Sequence, residues 1–217
     1  MFSDIRSYVD AAVARDPAAR SRAEVVLLYP GVHALAWHKL SHWLYRHRVF
    51  GLARFLSQLV RFFTGIEIHP GAHIGRGVFI DHGMGVVIGE NAIVGSDVTI
   101  YQGVTLGGTG KETGKRHPTI EDGVVVSAGA IVLGSINVGA NSTIAGGAVA
   151  MDNVPKARGG RYGRNRLGQS CVLALRLVER GVQYLLVHAS GGNSIDVADA
   201  YQAGESLGDW ILYERKP

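Results

Sequence analysis

Two short segments of this chain gather side chains that can move a proton and hold an anion. Asp81-His82, within Ile80-Asp81-His82-Gly83-Met84-Gly85, sets a carboxylate beside an imidazole. Arg116-His117 closes a run that begins Gly107-Gly108-Thr109-Gly110-Lys111, adding a guanidinium, a second imidazole and open backbone N–H groups. Histidine titrates near neutrality, so His82 can take the proton of an alcohol and return it to a leaving group. A carboxylate bonded to that ring would fix its tautomer and stabilise the imidazolium, and both Glu67 and Asp81 qualify. Backbone N–H groups at residues 107–110 can meet an oxyanion or a ligand because Gly admits close approach. Arg116 offers a planar fork to a carboxylate. These are the parts of an acyl transfer to a hydroxyl. Cys171, the single cysteine, has no base beside it in the sequence, so direct attack is expected rather than a covalent acyl-enzyme.

The elements that position these segments are written in a period of six. Aliphatic residues recur at Ile68, Ile74 and Ile80, then at Ile88, Val94, Ile100 and Leu106, then at Ile120, Val126, Val132, Val138 and Ile144. Small or β-branched residues recur two places earlier, as at Ala72, Val78, Ala92, Val98, Val104, Val124, Ala130 and Ser142. Neither a helix nor a half-buried strand has this period; three six-residue sides closing a triangular coil do, which gives a parallel β-helix. The period slips twice. Ile80 to Ile88 takes eight residues rather than six, and Leu106 to Ile120 takes fourteen where two steps would take twelve. The two slips contain the two reactive segments, as expected where insertions must leave a regular coil.

Before the repeat, apolar residues from Val25 to Phe62 recur at three and four, punctuated by Pro30-Gly31 and Gly51, and predict helices. Asp4 is expected to cap a first helix, and Asp16-Pro17 to start or precede a second. His38 and His42, four apart without a third ligand, are expected to pack rather than bind metal; His69 and His73 decorate the start of the coil. After the repeat, residues 156–166 hold five basic residues and no acid, and a helix is expected over residues 170–187. The net charge of +4 with 18% charged residues is no nucleic-acid signature. No apolar run reaches membrane-spanning length, and the N-terminus lacks the apolar core of a secretory signal, so a cytoplasmic location is expected.

The chain resembles the hexapeptide-repeat transferases, and within them the bacterial serine acetyltransferases in a form with a shortened N-terminal helical region. The resemblance spans residues 4–155. It rests on Arg15-Asp16-Pro17-Ala18, His42-Trp43, Gly65-Ile66-Glu67-Ile68-His69-Pro70, Ile80-Asp81-His82-Gly83-Met84-Gly85 and Val87-Ile88-Gly89-Glu90. It continues through Gln102-Gly103-Val104-Thr105-Leu106-Gly107-Gly108-Thr109-Gly110-Lys111 and Lys115-Arg116-His117-Pro118. It implies an α+β fold: an N-terminal α-helical region over residues 1–64, a left-handed parallel β-helix over 65–155, and an atypical C-terminal extension over 156–217. It further implies acetyl-CoA as co-substrate, L-serine as acceptor and no metal, in the entry step to cysteine, with cysteine competing at the serine site.

By the same resemblance His82 is the general base and Glu67 its acidic partner. Asp16, Asp81, Arg116 and His117 bind the amino acid, and Gly108, Thr109, Ala128 and Gly146 line the CoA arm. A homotrimer or a dimer of trimers is implied, with sites between adjacent prisms. Another hydroxy amino acid such as homoserine, or a catalytically impaired scaffold, are the competing readings. After Val154-Pro155 the family's closing motif is replaced by Lys156-Ala157-Arg158-Gly159-Gly160-Arg161. The chain ends in Pro217 rather than the terminal Ile that some members insert into the next enzyme, so a cysteine synthase complex is not expected.

Overall fold

The computed structural model describes residues 2–110, 113–156, 186–188 and 194–196. Two units divide the chain, Met1–Lys156 and Ala157–Pro217. In the second, β14 (Leu186–His188) and β15 (Ser194–Asp196) pair antiparallel. Leu186 and Val187, the last two residues of the helix expected over 170–187, lie in strand β14 instead; the rest of that range lies outside the described residues, as does the basic run beyond Lys156.

The first unit opens with four helices, α1 (Phe2–Arg15), α2 (Arg22–Leu28), α3 (Pro30–Arg46) and α4 (Phe50–Thr64). Asp4 falls inside the first turn of α1 rather than capping it, and its carboxylate pairs with Lys39 at 3.4 Å. The second helix starts later than Asp16-Pro17, at a Ser21 cap whose Oγ accepts from the Glu24 N–H at 3.1 Å. Pro30 begins α3, where its missing N–H costs no bond. No helix among the described residues is long and apolar enough to cross a membrane.

The period of six becomes three parallel sheets wound as a left-handed β-helix. The first sheet stacks β1 (Glu67–Ile68), β4 (Val87–Ile88), β7 (Thr105–Gly107), β10 (Ile131–Leu133) and β13 (Val149–Ala150). The second stacks β2 (His73–Ile74), β5 (Ile93–Val94), β8 (Thr119–Ile120) and β11 (Asn137–Val138), and the third β3 (Phe79–Ile80), β6 (Thr99–Ile100), β9 (Val125–Val126) and β12 (Thr143–Ile144). The aliphatic ladder partners are the expected ones: Ile68, Ile88, Leu106 and Val132 on one face, extended by Ala150, with equivalent rows on the other two. These side chains, with Ala72, Val78, Val98, Val124 and their kin two places earlier, are buried and fill the prism.

The second slip is larger than the spacing suggests. Leu106 in β7 is followed by Ile120 in the neighbouring sheet, so fourteen residues make one six-residue step and the excursion is eight residues long, not two.

Among the described residues no strand neighbours the outer side of β1, β2 and β3 in the first coil, and the helices cover it. His42 Nδ1 donates to the Pro70 carbonyl at 2.8 Å, His38 Nε2 to Ala72 at 3.1 Å, and Lys39 Nζ to Ile74 at 3.1 Å. From α1, the Tyr8 hydroxyl donates to the Gly75 carbonyl at 3.1 Å and Ser7 Oγ accepts from the Gly77 N–H at 3.0 Å. Phe79 of β3 is buried with Val9, Ala11, Ala12, Val25 and Val32 of the helices.

His38 makes this cap sensitive to acid. Its Nε2–H is held by a carbonyl, and its buried Nδ1 has no hydrogen-bond partner among the described residues, so a second proton there would be a buried charge without a counterion among them. Burial, then the neighbouring His42 and Lys39 charges, push its pKa down to about 3. An unfolded histidine titrates near ~6.5. Between these values the unfolded state binds a proton that the native state refuses, so the native state loses stability as pH falls below ~6.5 and has the full contribution above it. Denaturant unfolding across this range should show stability falling by up to ~1 kcal/mol per pH unit, with the slope shallower in His38→Gln. An unchanged slope in that variant would remove His38 as the cause.

Candidate functional site

Asp81 and His82 occupy the corner between the third sheet and the first, in the β3–β4 connection. The loop is held from both sides: the Asp81 N–H bonds the Ile100 carbonyl at 2.8 Å, and the Gly85 N–H bonds Gly65 at 2.9 Å. His82 has φ +58°, an uncommon region for a residue with a side chain, and its ring is 73% exposed. Its Nε2 lies 4.0 Å from Asp81 Oδ1, too long for a hydrogen bond, so Asp81 is a neighbouring charge and does not orient the ring. The corner is set by α3. A methyl group on Gly31 would overlap the carbonyl oxygen of Ile80, the residue before Asp81.

Asp16 joins this corner from the end of α1. Arg15 anchors the helix end by donating to Asp97 Oδ1 at 3.0 Å and to the Val98 carbonyl and Thr99 Oγ1 at 3.3 Å each. The Asp16 carboxylate then accepts from the Ala18 N–H at 2.8 Å and the Tyr29 hydroxyl at 2.5 Å. The Tyr29 bond, then the Ala18 bond and the charge of nearby His82, hold Asp16 below its ordinary pKa; the same bond pushes Tyr29 up to about 12. Asp16 is thus a fixed carboxylate facing His82.

Glu67, Arg116 and His117 gather at a different place. Glu67 accepts from Arg54 at 3.1 Å and Arg61 at 3.0 Å, both from α4, and no hydrogen bond or ion pair joins it to His82 among the described residues. Arg116 Nη2 donates to Glu90 at 2.9 Å, and Glu90 also accepts from the Tyr45 hydroxyl at 3.0 Å. The Tyr45 bond, then Arg116, keeps Glu90 below its ordinary pKa. His117 is buried, and burial followed by the Arg116 charge pushes its pKa down. His69, in the turn after β1, feels the charges of Arg54, Glu90, His117 and Glu67, which places all of them around one corner, between the first sheet and the second.

The candidate cofactor residues divide in the same way. Gly147 N–H bonds the Ala128 carbonyl at 2.9 Å, Gly129 N–H bonds Gln102, and Gly103 N–H bonds Met84. Ala128 and Gly146 therefore lie on one continuous edge that begins at the His82 loop. Gly108 and Thr109 leave β7 on the far edge: a methyl on Gly108 would lie 3.1 Å from the Arg116 carbonyl, and one on Gly134 would lie 3.7 Å from Thr109 Cγ2.

Asp16, Asp81, His82, Ala128 and Gly146 thus stand at one edge of the first sheet. Glu67, Arg116, His117, Gly108 and Thr109 stand at or toward the other. A six-residue side at ~3.3 Å per residue is roughly 15–20 Å wide, well beyond the reach of one amino acid. One prism cannot close both half-sites on the same small ligand. Sequence reasoning missed Tyr29, Gly31, Asn91 and the Arg54/Arg61 pair. A readable signal exists for Tyr29 and Gly31, which flank the Pro30 break; Asn91 follows Glu90 in an ordinary turn with nothing to mark it.

No family model matches the chain. A serine acetyltransferase of Bacillus licheniformis is 58% identical over 155 residues, covering 71% of this chain and 72% of the relative. One from Helicobacter pylori is 59% identical over 152 residues, covering 70% of this chain and 89% of the relative. Among solved structures, a Vibrio cholerae serine acetyltransferase superposes with TM-score 0.70 at 43% identity over 71% of this chain and 60% of its own. A Brucella abortus serine acetyltransferase in complex with coenzyme A gives 0.69 at 44% over 70% and 61%. A soybean serine acetyltransferase complexed with serine gives 0.69 at 42% over 70% and 63%. The chain spans about three-fifths of the length of these solved chains.

The close approach at Gly31 gives a paired test. Gly31→Ala should lower stability by ~1–3 kcal/mol, because the methyl meets backbone that carries the Asp81-His82 loop. Gly51→Ala, where nothing lies within 4 Å of the added methyl, should raise stability by ~0.5 kcal/mol. Thermal unfolding of both variants measures the contrast; equal effects would mean the α3–β3 contact does not constrain the corner.

Proposed function

The chain belongs to the serine acetyltransferase family, and from that premise we propose that it transfers the acetyl group of acetyl-CoA to the hydroxyl of L-serine. The products are O-acetyl-L-serine and CoA, and the sites are shared between neighbouring copies of the chain. The observation that carries this reading is the division of the polar groups: an exposed imidazole with the fixed Asp16 carboxylate on one edge, and the half-buried Arg116 beside buried His117 on the other. Set edge to edge around a threefold axis, the two halves make a pocket for an amino acid.

In that pocket Asp16 and Asp81 hold the ammonium group, Arg116 holds the carboxylate, and His117 meets a hydrogen-bond donor of the same amino acid. His82 takes the hydroxyl proton as the serine oxygen attacks the thioester carbonyl. Collapse of the tetrahedral adduct breaks the carbon–sulfur bond, and His82 returns its proton to the departing thiolate. Acetyl-CoA fits the edge that runs from His82 past Ala128 to Gly146, closed by Gly108 and Thr109 of the adjacent copy. In this reading Glu67 of that adjacent copy serves as the acidic partner of His82. Val87, Ile131 and Val149 line the outer face of the first sheet at 36–45% exposure, an apolar stripe suited to contact between copies. This reading makes the oligomer a homotrimer or a dimer of trimers, working in the cytoplasm.

A thiol-release assay with acetyl-CoA and serine, homoserine or threonine tests the assignment. Serine should be the preferred acceptor, and His82→Ala should lose on the order of 10²–10⁴-fold in turnover, as removal of a general base does. Near-normal turnover in that variant would sink the role given to His82. Arg116→Lys should raise the serine KM by roughly tenfold and leave the acetyl-CoA KM in place, since an ammonium cannot reproduce a bidentate fork.

A further inference from the structure

Asn91, in the turn between β4 and β5, bonds the whole Arg116-His117 segment. Its Nδ2 donates to the Gly114 carbonyl, and its own carbonyl accepts from Lys115 Nζ at 2.7 Å. Its Oδ1 accepts from the backbone N–H groups of Arg116 at 3.1 Å and His117 at 3.0 Å. The same Oδ1 lies 2.7 Å from His117 Nδ1. The orientation of the amide is fixed by these partners, because a flipped Asn91 would set its oxygen against the Gly114 carbonyl and its NH₂ against two N–H donors. An amide oxygen only accepts, so Nδ1 of His117 carries the proton. The Asn91 backbone N–H also points at Nδ1, at 3.4 Å, but the shorter contact decides the proton's place. The lone pair of the neutral ring is then on Nε2.

The ring cannot turn away from this arrangement. It lies against Gly89, where an added methyl would overlap Cδ2 and Nε2. The charged and titratable groups around it are Arg116 and Lys115 on its own segment, Glu90 beside Asn91, and His69 from the β1–β2 turn. Burial and the Arg116 and Lys115 charges favour the neutral ring over Glu90's opposing pull.

We propose that Asn91 is a positioning residue for serine binding: it locks His117 in the Nδ1-protonated tautomer, so that Nε2 accepts a hydrogen bond from an N–H or O–H of the bound amino acid. This rests on the reading of His117 as part of the serine site. It adds to that reading a specific electronic state and the residue that sets it.

Long-range proton–nitrogen correlation spectra of the intact wild-type protein report which ring nitrogen of His117 bears the proton. A proton on Nδ1 is expected, and one on Nε2 overturns the inference without any variant having to fold. In kinetics, Asn91→Ala should raise the serine KM by about tenfold, the cost of leaving a buried donor unpaired, while kcat and the acetyl-CoA KM hold. Asn91→Asp supplies a carboxylate that stabilises the imidazolium, turning Nε2 into a donor. Its serine KM should be raised at neutral pH and recover as pH rises and the ring loses its proton. A serine KM in Asn91→Asp with the wild-type pH profile would refute the role. His117→Ala separates the two levels. If it leaves the serine KM unchanged, the placement of the serine site fails. If it raises that KM while both Asn91 variants match wild type, only the inference about Asn91 fails.

Discussion

Parallel stacking of six-residue sides is the constraint on which the rest of this structure depends. Three sides make a coil, so corners recur every eighteen residues, as from Ile88 to Leu106, and each backbone ladder holds a corner above the one below. The interior has no room for a shifted register. Slipping the first sheet by one residue would turn four large aliphatic side chains outward, at roughly 1.5–3 kcal/mol each, and Ala150 with them. Extra residues therefore have to leave at a corner. The two excursions, after Ile80 and after Leu106, leave at different corners and so present their polar groups on opposite edges of one sheet.

The same stacking creates an open edge at the first coil, and the helices answer it. His38, Lys39 and His42 from one helix and Ser7 and Tyr8 from another occupy backbone groups from Pro70 to Gly77. Once docked there, these helices also bring polar groups to the His82 corner. The end of α1 carries Asp16 to the His82 corner, Tyr29 fixes its carboxylate, and Gly31 sets the distance between α3 and Ile80. Cap and half-site are one construction, which is why residues far apart in sequence, such as Asp16 and His82, meet.

The repeat was legible because interior positions admit only aliphatic or small residues, and the rows from Ile68 to Ile144 matched the ladders found. The Asp81-His82 loop was legible as a break in that rule. The length of the second excursion was not, because fourteen residues divide as readily into two steps as into one step and a loop; only the pairing of β8 with β5 decides it. Glu67 looked like a partner for His82 from its chemistry and family position. In a single chain it is engaged by Arg54 and Arg61, since helix α4 ends beside β1. Spacing along a chain says which corner a residue occupies but not which copy's neighbour it meets. Asn91 was invisible for a related reason: an Asn in a turn is ordinary until the turn proves to lie under Arg116 and His117.

The central claim is that each site is completed by two copies, one giving the His82 edge and the other the Arg116 edge. Mixing two inactive variants tests it most directly. His82→Ala and Arg116→Ala chains, unfolded together in equal amounts and refolded, should each be inactive alone yet regain acetyl-CoA-dependent serine acetylation when mixed. Random assembly places an intact His82 edge against an intact Arg116 edge in about a quarter of the interfaces, so about a quarter of the wild-type rate is expected. A mixture as inactive as its two components would contradict a shared site.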